Sequence, residues 1–274
     1  MNADDFGLTR GVNRAIVELH DAGVLTSATL MARAGATEEA MELALARPSL
    51  GVGCHVVLVD GEPVLPRAKV PSLIDPETGQ FYRTLGKFLP RVLTGRIRGE
   101  EIVAEAAAQI GFLQSRGLKL THIDTHKHTH MFPTVLRAVL RAAKGAGIEA
   151  VRNPFEPEWA VKMAQRAPWV RRAEVMVLRQ MGPSCLRLMR EAGFRTTDGT
   201  IAVAATGILD EEGVRALLKN LPEGRWEFVS HPGYNDADLG QVRTRLRESR
   251  ELERRALMAI KGAAGVELES FAAV

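Results

Sequence analysis

The pattern of apolar and polar positions switches repeatedly between two periods along the chain. Short apolar runs, of which Leu25–Met31 and Leu50–Leu58 are the clearest, predict buried strands. Between such runs, apolar residues spaced three and four positions apart predict helices, as over Thr37–Ala46 and Glu100–Arg116. Strands that alternate with helices are typical of an α/β protein with a parallel sheet.

The same pattern continues to the end of the chain. Further strands are predicted over Leu118–Asp124, Ile148–Val151, Thr200–Ala204, Trp226–Ser230 and Val266–Phe271. Further helices are predicted after Thr9 as the N-cap, from Pro133 onward, and over Asp210–Leu221 and Leu239–Lys261. Seven or so repeats without a glycine-rich dinucleotide motif favour an irregular, seven-stranded (β/α) barrel of the TIM-barrel type, with residues 1–274 as one domain.

Two segments interrupt this alternation. Residues 59–80 contain four prolines and form a connection too long for a simple turn, so we expect an inserted, lid-like loop. Residues 157–195 form a basic helical excursion in which cationic side chains outnumber Glu174 and Glu191. Its interpretation stays open between an ordinary outer helix pair and a basic amphipathic face that contacts an anionic membrane surface.

Composition narrows the class of protein. Of the 274 residues 46% are hydrophobic and 25% charged, as in ordinary soluble globular proteins, and we expect no transmembrane segment. The net charge of +3 comes from interspersed charges without a basic run among aromatic residues, so we expect no nucleic-acid partner. Cys54 and Cys185 form no disulfide framework, which favours the cytoplasm, with peripheral contact at the inner membrane face as a further expectation.

Four of the seven histidines lie in the segment 121–133, together with Asp124. They are His122, His126, His128 and His130. Because side chains alternate along a strand, an extended segment would place all five on one face. Burying imidazoles costs free energy unless they gain partners, and a divalent metal ion is the simplest partner. The alternative is an exposed histidine-rich loop that binds metal adventitiously.

Two adjacent carboxylates, Asp4 and Asp5, precede the first helix. Neighbouring strand residues point to opposite sides, so both can serve one site only where the chain turns, and Gly7 permits such a turn. One aspartate would then bind a metal ion while the other contacts substrate or water. The alternative is that one of them merely caps the helix.

Three more polar residues lie near predicted strand ends, namely His55, Arg152 and His231. A lone histidine in an apolar strand is more often a hydrogen-bonded core residue than a ligand. In a barrel, however, the chemistry lies at the carboxyl ends of the strands, where the aspartates and the histidine cluster also fall. These residues therefore predict one shared site.

In these residues and their spacing, the chain resembles the YdjC-like carbohydrate deacetylases, a family that includes chitooligosaccharide deacetylase. The matching motifs are Asn2–Leu8, Gly53–Leu58, His122–Pro133 and Ser230–Gly233, in the family's order and spacing over nearly the whole chain. Relatives have an apolar run before Asn-Ala-Asp-Asp, so the resemblance also implies that the first barrel strand is nearly missing here.

The resemblance implies a divalent ion held by Asp5, His55 and His126. Mixed oxygen and nitrogen ligands suit Mg²⁺ or Zn²⁺ first, and they leave coordination positions for water and substrate. The implied reaction is hydrolysis of an N-acetyl amide, with Asp4 as general base and His231 as general acid.

The remaining polar residues take supporting roles in this scheme. Asp124, His128 and His130 are expected to orient the ligands, Arg152 to orient a sugar hydroxyl or a carboxylate, and the more deeply placed His122 to be structural. These roles follow from the resemblance and have alternatives in simple packing.

The segment from His55 to Asp75 is similar to the hopanoid-biosynthesis-associated branch of the family. That branch is thought to deacetylate an N-acetylglucosaminyl group on a hopanoid, so the implied substrate is an acetylated amino sugar that is lipid-linked in one version. Alternatives are a metal-dependent phosphoesterase or sugar isomerase on the same barrel, or a non-catalytic carbohydrate-binding protein. The oligomeric state is open, with a homodimer among the expectations.

Overall fold

A six-stranded sheet forms the centre of the computed structural model, which describes residues 1–262 and 266–274. The strands are β1 (Asn2–Phe6), β2 (Ser27–Leu30), β3 (Gly51–Val56), β4 (Ile123–Thr125), β5 (Gly199–Ile201) and β6 (Trp226–Ser230). Their order is β4-β3-β2-β1-β6-β5 and every neighbouring pair is parallel. The α/β class and a parallel half-barrel are therefore confirmed.

The first strand is present, contrary to the expectation that it would be nearly missing. β1 consists of the motif residues themselves, is buried along its length, and pairs with β2 on one side and β6 on the other. Thr26 and Ser27 also donate backbone hydrogen bonds to the carbonyl of Met1. Each strand edge of β1 is therefore covered, and the site motif lies in the middle of the sheet.

Two predicted strands are wrong or much reduced. Around Ile148–Val151 the chain makes isolated parallel bridges, Val151 with Ile123 and Ala150 with Arg195, rather than a continuous ladder. The segment Val266–Phe271 forms no strand. It leads into a 3₁₀ turn over Phe271–Ala273, where the Phe271 ring stacks on His122. The described residues thus contain six strands, not seven.

Helices connect the strands. They are α1 (Arg10–Asp21), α2 (Thr37–Leu45), α3 (Leu85–Leu93), α4 (Gly99–Ser115), α5 (Pro133–Gly145), α6 (Glu158–Met163), α7 (Trp169–Arg179), α8 (Gly182–Glu191), α9 (Glu211–Lys219), α10 (Ala237–Gln241) and α11 (Arg247–Ala259). The Thr9 hydroxyl accepts a hydrogen bond from the Val12 amide at the start of α1, as the sequence predicts. The single closing helix predicted over Leu239–Lys261 is instead divided into α10 and α11.

The segment 59–80 is folded against α4. It contains two 3₁₀ turns, Arg67–Lys69 and Pro71–Leu73, and a bridge between Ile74 and Phe81. Two acidic side chains of α4 accept its backbone N–H groups: Glu105 from Val64 and Leu65, and Glu101 from Ser72. These contacts satisfy buried backbone groups and hold the expected lid-like segment against the barrel.

The basic excursion consists of α6, α7 and α8. Within the described residues, no helix combines the length and the apolar character that crossing a bilayer requires.

Candidate metal centre and active site

Asp4 and Asp5 both face the site because the strand is irregular at this point. The pairing register of β1 with β2 shifts between Ala3 and Phe6, and Asp5 has a left-handed backbone with φ of 65°. This bulge cancels the usual alternation of neighbouring side chains. Gly7, with φ of 94°, completes the turn that the sequence predicts.

Asp5 of β1, His55 of β3 and His126, which directly follows β4, converge on one point. Asp5 Oδ1 lies 3.2 Å from His126 Nδ1 and 3.5 Å from His55 Nε2, and the two ring nitrogens are 3.3 Å apart. These three side chains can hold one metal ion. The structure therefore brings together the three residues that the family resemblance implies as ligands.

The histidine-rich segment is extended only as far as Thr125. Beyond it, residues 126–131 form a 3₁₀ turn in which Lys127 and His128 have positive φ angles of 55° and 51°. The prediction that the whole cluster shares one strand face is therefore wrong. Because of this turn, the His126 ring points toward Asp5 of β1, whereas His128 and His130 point elsewhere.

Asp124 fixes the orientation of His55. The two residues are register partners on β4 and β3, and His55 Nδ1 lies 2.7 Å from Asp124 Oδ1. Burial lowers the pKa of His55, but the carboxylates of Asp124, Asp5 and Asp4 together outweigh it and raise the pKa of His55 to about 10. With Nδ1 engaged, Nε2 is the ring atom that faces Asp5.

Asp4 is held by a buried arginine. Arg152 donates to both carboxylate oxygens of Asp4, at 2.8 and 2.6 Å, and also pairs with Asp124 and Glu227. Asn2 and Thr29 donate two further hydrogen bonds to Asp4 Oδ1. Burial raises the pKa of Asp4, but Arg152 outweighs it and keeps that pKa well below its ordinary value.

Arg152 is fully buried and its guanidinium engages three carboxylates. Arg152 is therefore a buried counter-ion of Asp4 in the structure, whereas the sequence predicted that it contacts a sugar hydroxyl or a carboxylate. Burial alone would lower the pKa of Arg152, but its acidic partners raise it well above the ordinary value. The side chain keeps its charge and holds Asp4 in one position.

Asp5 has a different environment. Arg250 of α11 donates to Asp5 Oδ2 at 2.5 Å, while Oδ1 is buried and has no hydrogen-bond partner among the described residues. An ionised oxygen left unpaired inside a protein costs free energy. A cation between Oδ1 and the two imidazoles would remove that cost, so the donor set fits a divalent ion.

The second geometrically possible metal group fits less well. Asp4, His55 and Asp124 also offer ligand atoms close to one another. The carboxylates of Asp4 and Asp124 are already paired with Arg152, and Asp124 also engages His55. A cation there would have to displace the Arg152 guanidinium from its own partners.

His231 lies beside Asp4. Its Nε2 is 3.8 Å from Asp4 Oδ2, and its backbone N–H donates to Glu253 Oε2 at 2.6 Å. The side chains of His231 and His126 are 13% and 18% exposed, whereas those of Asp4, Asp5 and His55 are at most 4% exposed. Substrate would therefore reach the site between His126 and His231.

The remaining histidines of the cluster differ in function. His130 Nδ1 lies 2.7 Å from the Thr125 hydroxyl and its Nε2 lies 3.3 Å from the Arg152 carbonyl. Burial lowers the pKa of His130 to about 4, so it is a neutral link between Thr125 of β4 and the backbone of Arg152. Burial also holds the pKa of His128 well below its ordinary value, and its Nδ1 has no partner among the described residues. His122 is fully buried, as expected for a structural residue.

The sequence missed several residues that complete the site. They are Asn2, Thr29, Glu227, Arg250 and Glu253. Glu227 could have been found, because a charged residue inside an apolar strand needs a buried partner. Arg250 and Glu253 lie among many charged residues of α11, where nothing in the sequence separates a buried charge from an exposed one.

Comparison with known proteins identifies related sequences and structures. A family model described as YdjC-like protein matches residues 1–262. A carbohydrate deacetylase from Thermoanaerobacter pseudethanolicus is 30% identical over 257 residues, which cover 94% of this chain and 89% of that protein. A carbohydrate deacetylase from Brevibacillus brevis is 46% identical over 159 residues, 58% of each chain.

Two crystal structures share the fold. One is a protein of Enterococcus faecalis that its description links to cellobiose-phosphate cleavage; it has a TM-score of 0.72 and 27% identity, with 99% of this chain and 96% of that chain covered. The other, a lactam utilization protein from Thermus thermophilus, has a TM-score of 0.53 and 19% identity, covers 98% of both chains, and supports the fold alone. On the match over residues 1–262, the chain belongs to the family of YdjC-like proteins.

Proposed function

We propose that the protein is a carbohydrate deacetylase that hydrolyses the N-acetyl amide of an amino sugar with the help of a divalent metal ion. The observation that carries the proposal is the unpartnered, buried Oδ1 of Asp5 between two imidazoles, directly beside an ionised Asp4. The names of the curated relatives support the same reaction.

Asp5, His55 and His126 would hold the ion, for which Mg²⁺ and Zn²⁺ are the leading candidates. When bound, a divalent ion at such a site supplies Lewis-acid polarisation of the acetyl carbonyl and lowers the pKa of water. The chain itself supplies the rest of the chemistry.

Asp4 is the general base. Arg152 keeps its carboxylate ionised at neutral pH, and the hydrogen bonds from Asn2 and Thr29 fix its position. It accepts the proton of the water that attacks the acetyl carbon.

His231 is the general acid. It lies across from Asp4, is partly open to solvent, and is held through its backbone by the buried Glu253. In this position it would donate a proton to the amine as the C–N bond breaks, so that acetate and a free amino sugar leave.

The finer substrate proposal is an N-acetylglucosamine unit. On the similarity to the hopanoid-associated branch, a hopanoid lipid would carry this unit. The acetamido group fits the charges of the site better than a phosphate monoester does. Arg152 is engaged by three carboxylates and Arg250 by Asp5, so both site arginines already have anionic partners.

The test is product analysis with metal-stripped and reconstituted protein. N-acetylglucosamine oligomers, an N-acetylglucosaminyl hopanoid and a sugar phosphate would be offered separately, and free acetate and phosphate measured. We expect acetate from an acetylated sugar only after Mg²⁺ or Zn²⁺ is restored. Phosphate release would instead support the phosphoesterase alternative, and binding of the acetylated sugar without turnover would support a carbohydrate-binding protein.

A further inference from the structure

Helices α6 and α7 lie at the same end of the sheet as the site. Val161 and Val175, one from each helix, pack in a small apolar cluster with Val203 and Ala204. These two residues lie two and three positions after the carboxyl end of β5, and Arg171 donates a hydrogen bond to the Val203 carbonyl at 3.3 Å. The outer surface of α7 therefore belongs to the face of the barrel on which Asp4 and Asp5 lie.

The exposed side of α7 carries large apolar side chains together with Glu174. Trp169, Val170 and Val177 are 78%, 48% and 69% exposed, and Val175 is the residue that α7 buries. Trp169, Ala173 and Val177 are spaced four residues apart and form one stripe along the helix. Of the seven strongly exposed large apolar side chains in the described part of the chain, three lie on this helix. An outer helix of a water-soluble domain normally buries its apolar side chains and exposes its polar ones.

Positive charge surrounds the stripe. The segment 158–191 has seven cationic and three acidic side chains, a net charge of +4, whereas the whole chain has a net charge of +3. The positive charge of the protein is thus concentrated on the segment 158–191, in which Arg166 pairs with Asp210 and Glu212 from outside the segment. Arg172 has no ion-pair partner among the described residues, so its charge is available to an anion.

A groove between α6 and α7 joins the two features. Its volume is about 240 Å³, and it is lined by Glu158, Lys162, Trp169, Arg172 and Met176 among others. Lys162 pairs with Glu158 at 2.6 Å, so Arg172 supplies the cation of the groove that has no ion-pair partner among the described residues. An aromatic ring, apolar side chains and cations at one surface are the combination that binds the boundary between acyl chains and anionic head groups.

We propose that the face formed by Trp169, Val170, Val177 and the flanking Lys162 and Arg172 docks onto a membrane surface that contains anionic phospholipid. The charge complementarity selects this occupant: a second copy of the chain would bring the same surplus of positive charge to the contact. In this orientation the mouth of the site faces the lipid. The inference stands apart from the deacetylase proposal, because the face shares no residue with the site.

The test is co-sedimentation with vesicles of phosphatidylglycerol mixed with phosphatidylcholine, and with vesicles of phosphatidylcholine alone. We expect binding to the anionic vesicles that weakens with salt, together with a blue shift of tryptophan emission. Trp169 would report the shift, since the rings of Trp159 and Trp226 pack edge to face 5.6 Å apart. Trp169→Phe should therefore remove most of the shift while binding persists.

Two variants separate the charge from the apolar stripe. Arg172→Glu should weaken binding by roughly 30-fold, because each charge near an anionic surface contributes ~1 kcal/mol and two charges change. Trp169→Ser should weaken it about tenfold. Matched controls are Lys119→Glu, an exposed cation before β4, and Leu93→Ser, an exposed leucine of α3; both should bind as the unaltered protein does.

Acetate release from a soluble acetylated sugar should be unchanged in all four variants, which keeps this test separate from that of the proposed function. Binding that ignores phosphatidylglycerol content, or that Arg172→Glu and Trp169→Ser leave intact, would overturn the proposal. Sedimentation velocity that shows a dimer lost in Trp169→Ser, without vesicle binding, would assign the face to a second copy instead.

Discussion

Asp4 and Asp5 are adjacent and chemically identical, yet their surroundings differ in almost every respect. Asp4 accepts four hydrogen bonds from Arg152, Asn2 and Thr29, three of them on Oδ1, while Oδ2 accepts one from Arg152. Asp5 accepts from Arg250 on one oxygen and leaves the other buried beside His55 and His126 without a hydrogen bond.

This difference supports the two roles in the proposed mechanism. A carboxylate that donors hold in place and keep ionised, and whose Oδ2 still has acceptor capacity, suits a proton acceptor whose position must not vary. A carboxylate with one unpaired buried oxygen, flanked by imidazole nitrogens, suits a cation. Environment, and not residue type, therefore separates base from ligand, and the bulge at Asp5 makes both environments possible within one strand.

The largest effect is expected on the Asp4 side. Asp4→Asn keeps the shape of the side chain but removes the proton acceptor, so the rate of acetate release should fall by roughly 10²–10⁴-fold. Bound metal per chain, measured by atomic emission, should stay as it is in the unaltered protein. A loss of metal in Asp4→Asn together with its retention in Asp5→Asn would reverse the two roles.

The next effect concerns the counter-ion of Asp5. Arg250→Met leaves a buried carboxylate without its cation, so the metal-free protein should lose about 3–5 kcal/mol of unfolding free energy. Added Mg²⁺ or Zn²⁺ should raise the melting temperature more in this variant than in the unaltered protein, because the ion then supplies the missing charge. Arg255→Met is the matched control, since Arg255 pairs with Glu251 at the exposed surface of the same helix. An Arg250→Met protein as stable as this control would contradict the assignment.

A smaller effect is expected for the carboxylate behind His55. Asp124→Asn should weaken metal binding by roughly 10–100-fold, because the ring of His55 is no longer held with Nε2 toward Asp5. Competition with a fluorescent chelator measures this affinity. Asp75→Asn, which alters a buried aspartate paired with Lys87 in the segment 59–80, should leave the affinity unchanged. Equal affinities in both variants would count against the orienting role.

The smallest effect is a dependence of metal affinity on pH. Because the pKa of His55 is raised to about 10 in the metal-free protein, the ring carries a proton at neutral pH that a metal ion must displace. Affinity should therefore rise with pH by up to about tenfold per unit until His55 loses its proton. The stabilising pairing of charged His55 with Asp124 in the metal-free protein is lost as pH rises through the same value.

Calorimetry in buffers of different ionisation enthalpy counts the released protons. About one proton per bound ion is expected near neutral pH. Since burial lowers the pKa of His126, that ring should add little to the count. Zero protons released would mean that His55 is neutral before metal binds.

Much of this arrangement could be predicted from the sequence, and the rest depends on long-range contacts. The spacing of apolar residues predicted the bounds of α4 and β3 to within about two residues. The family resemblance of the motifs pointed to Asp5, His55 and His126, which the structure brings together. The turn after Thr125 could not be predicted, because it depends on left-handed backbones at Lys127 and His128, residue types that tolerate an extended strand equally well.

Long-range pairing limited the prediction in the same way elsewhere. Arg152 was expected to contact substrate, but it is 148 residues from Asp4 in the chain and 75 residues from Glu227, and no local pattern reports such contacts. The apolar character of Val266–Phe271 suggested a strand, whereas the Phe271 ring packs on His122. Local sequence thus identified the chemical groups, while the fold determined which of them pair.

The position of the metal ion is the most direct test of this division between Asp4 and Asp5. Crystals grown with Zn²⁺ or Mn²⁺ and measured at the absorption edge of the metal would locate it by anomalous scattering. We expect one peak about 2.0–2.2 Å from Asp5 Oδ1, His55 Nε2 and His126 Nδ1, with Asp4 still bound to Arg152. A peak coordinated by Asp4 and Asp124, with Arg152 displaced, would contradict the assignment.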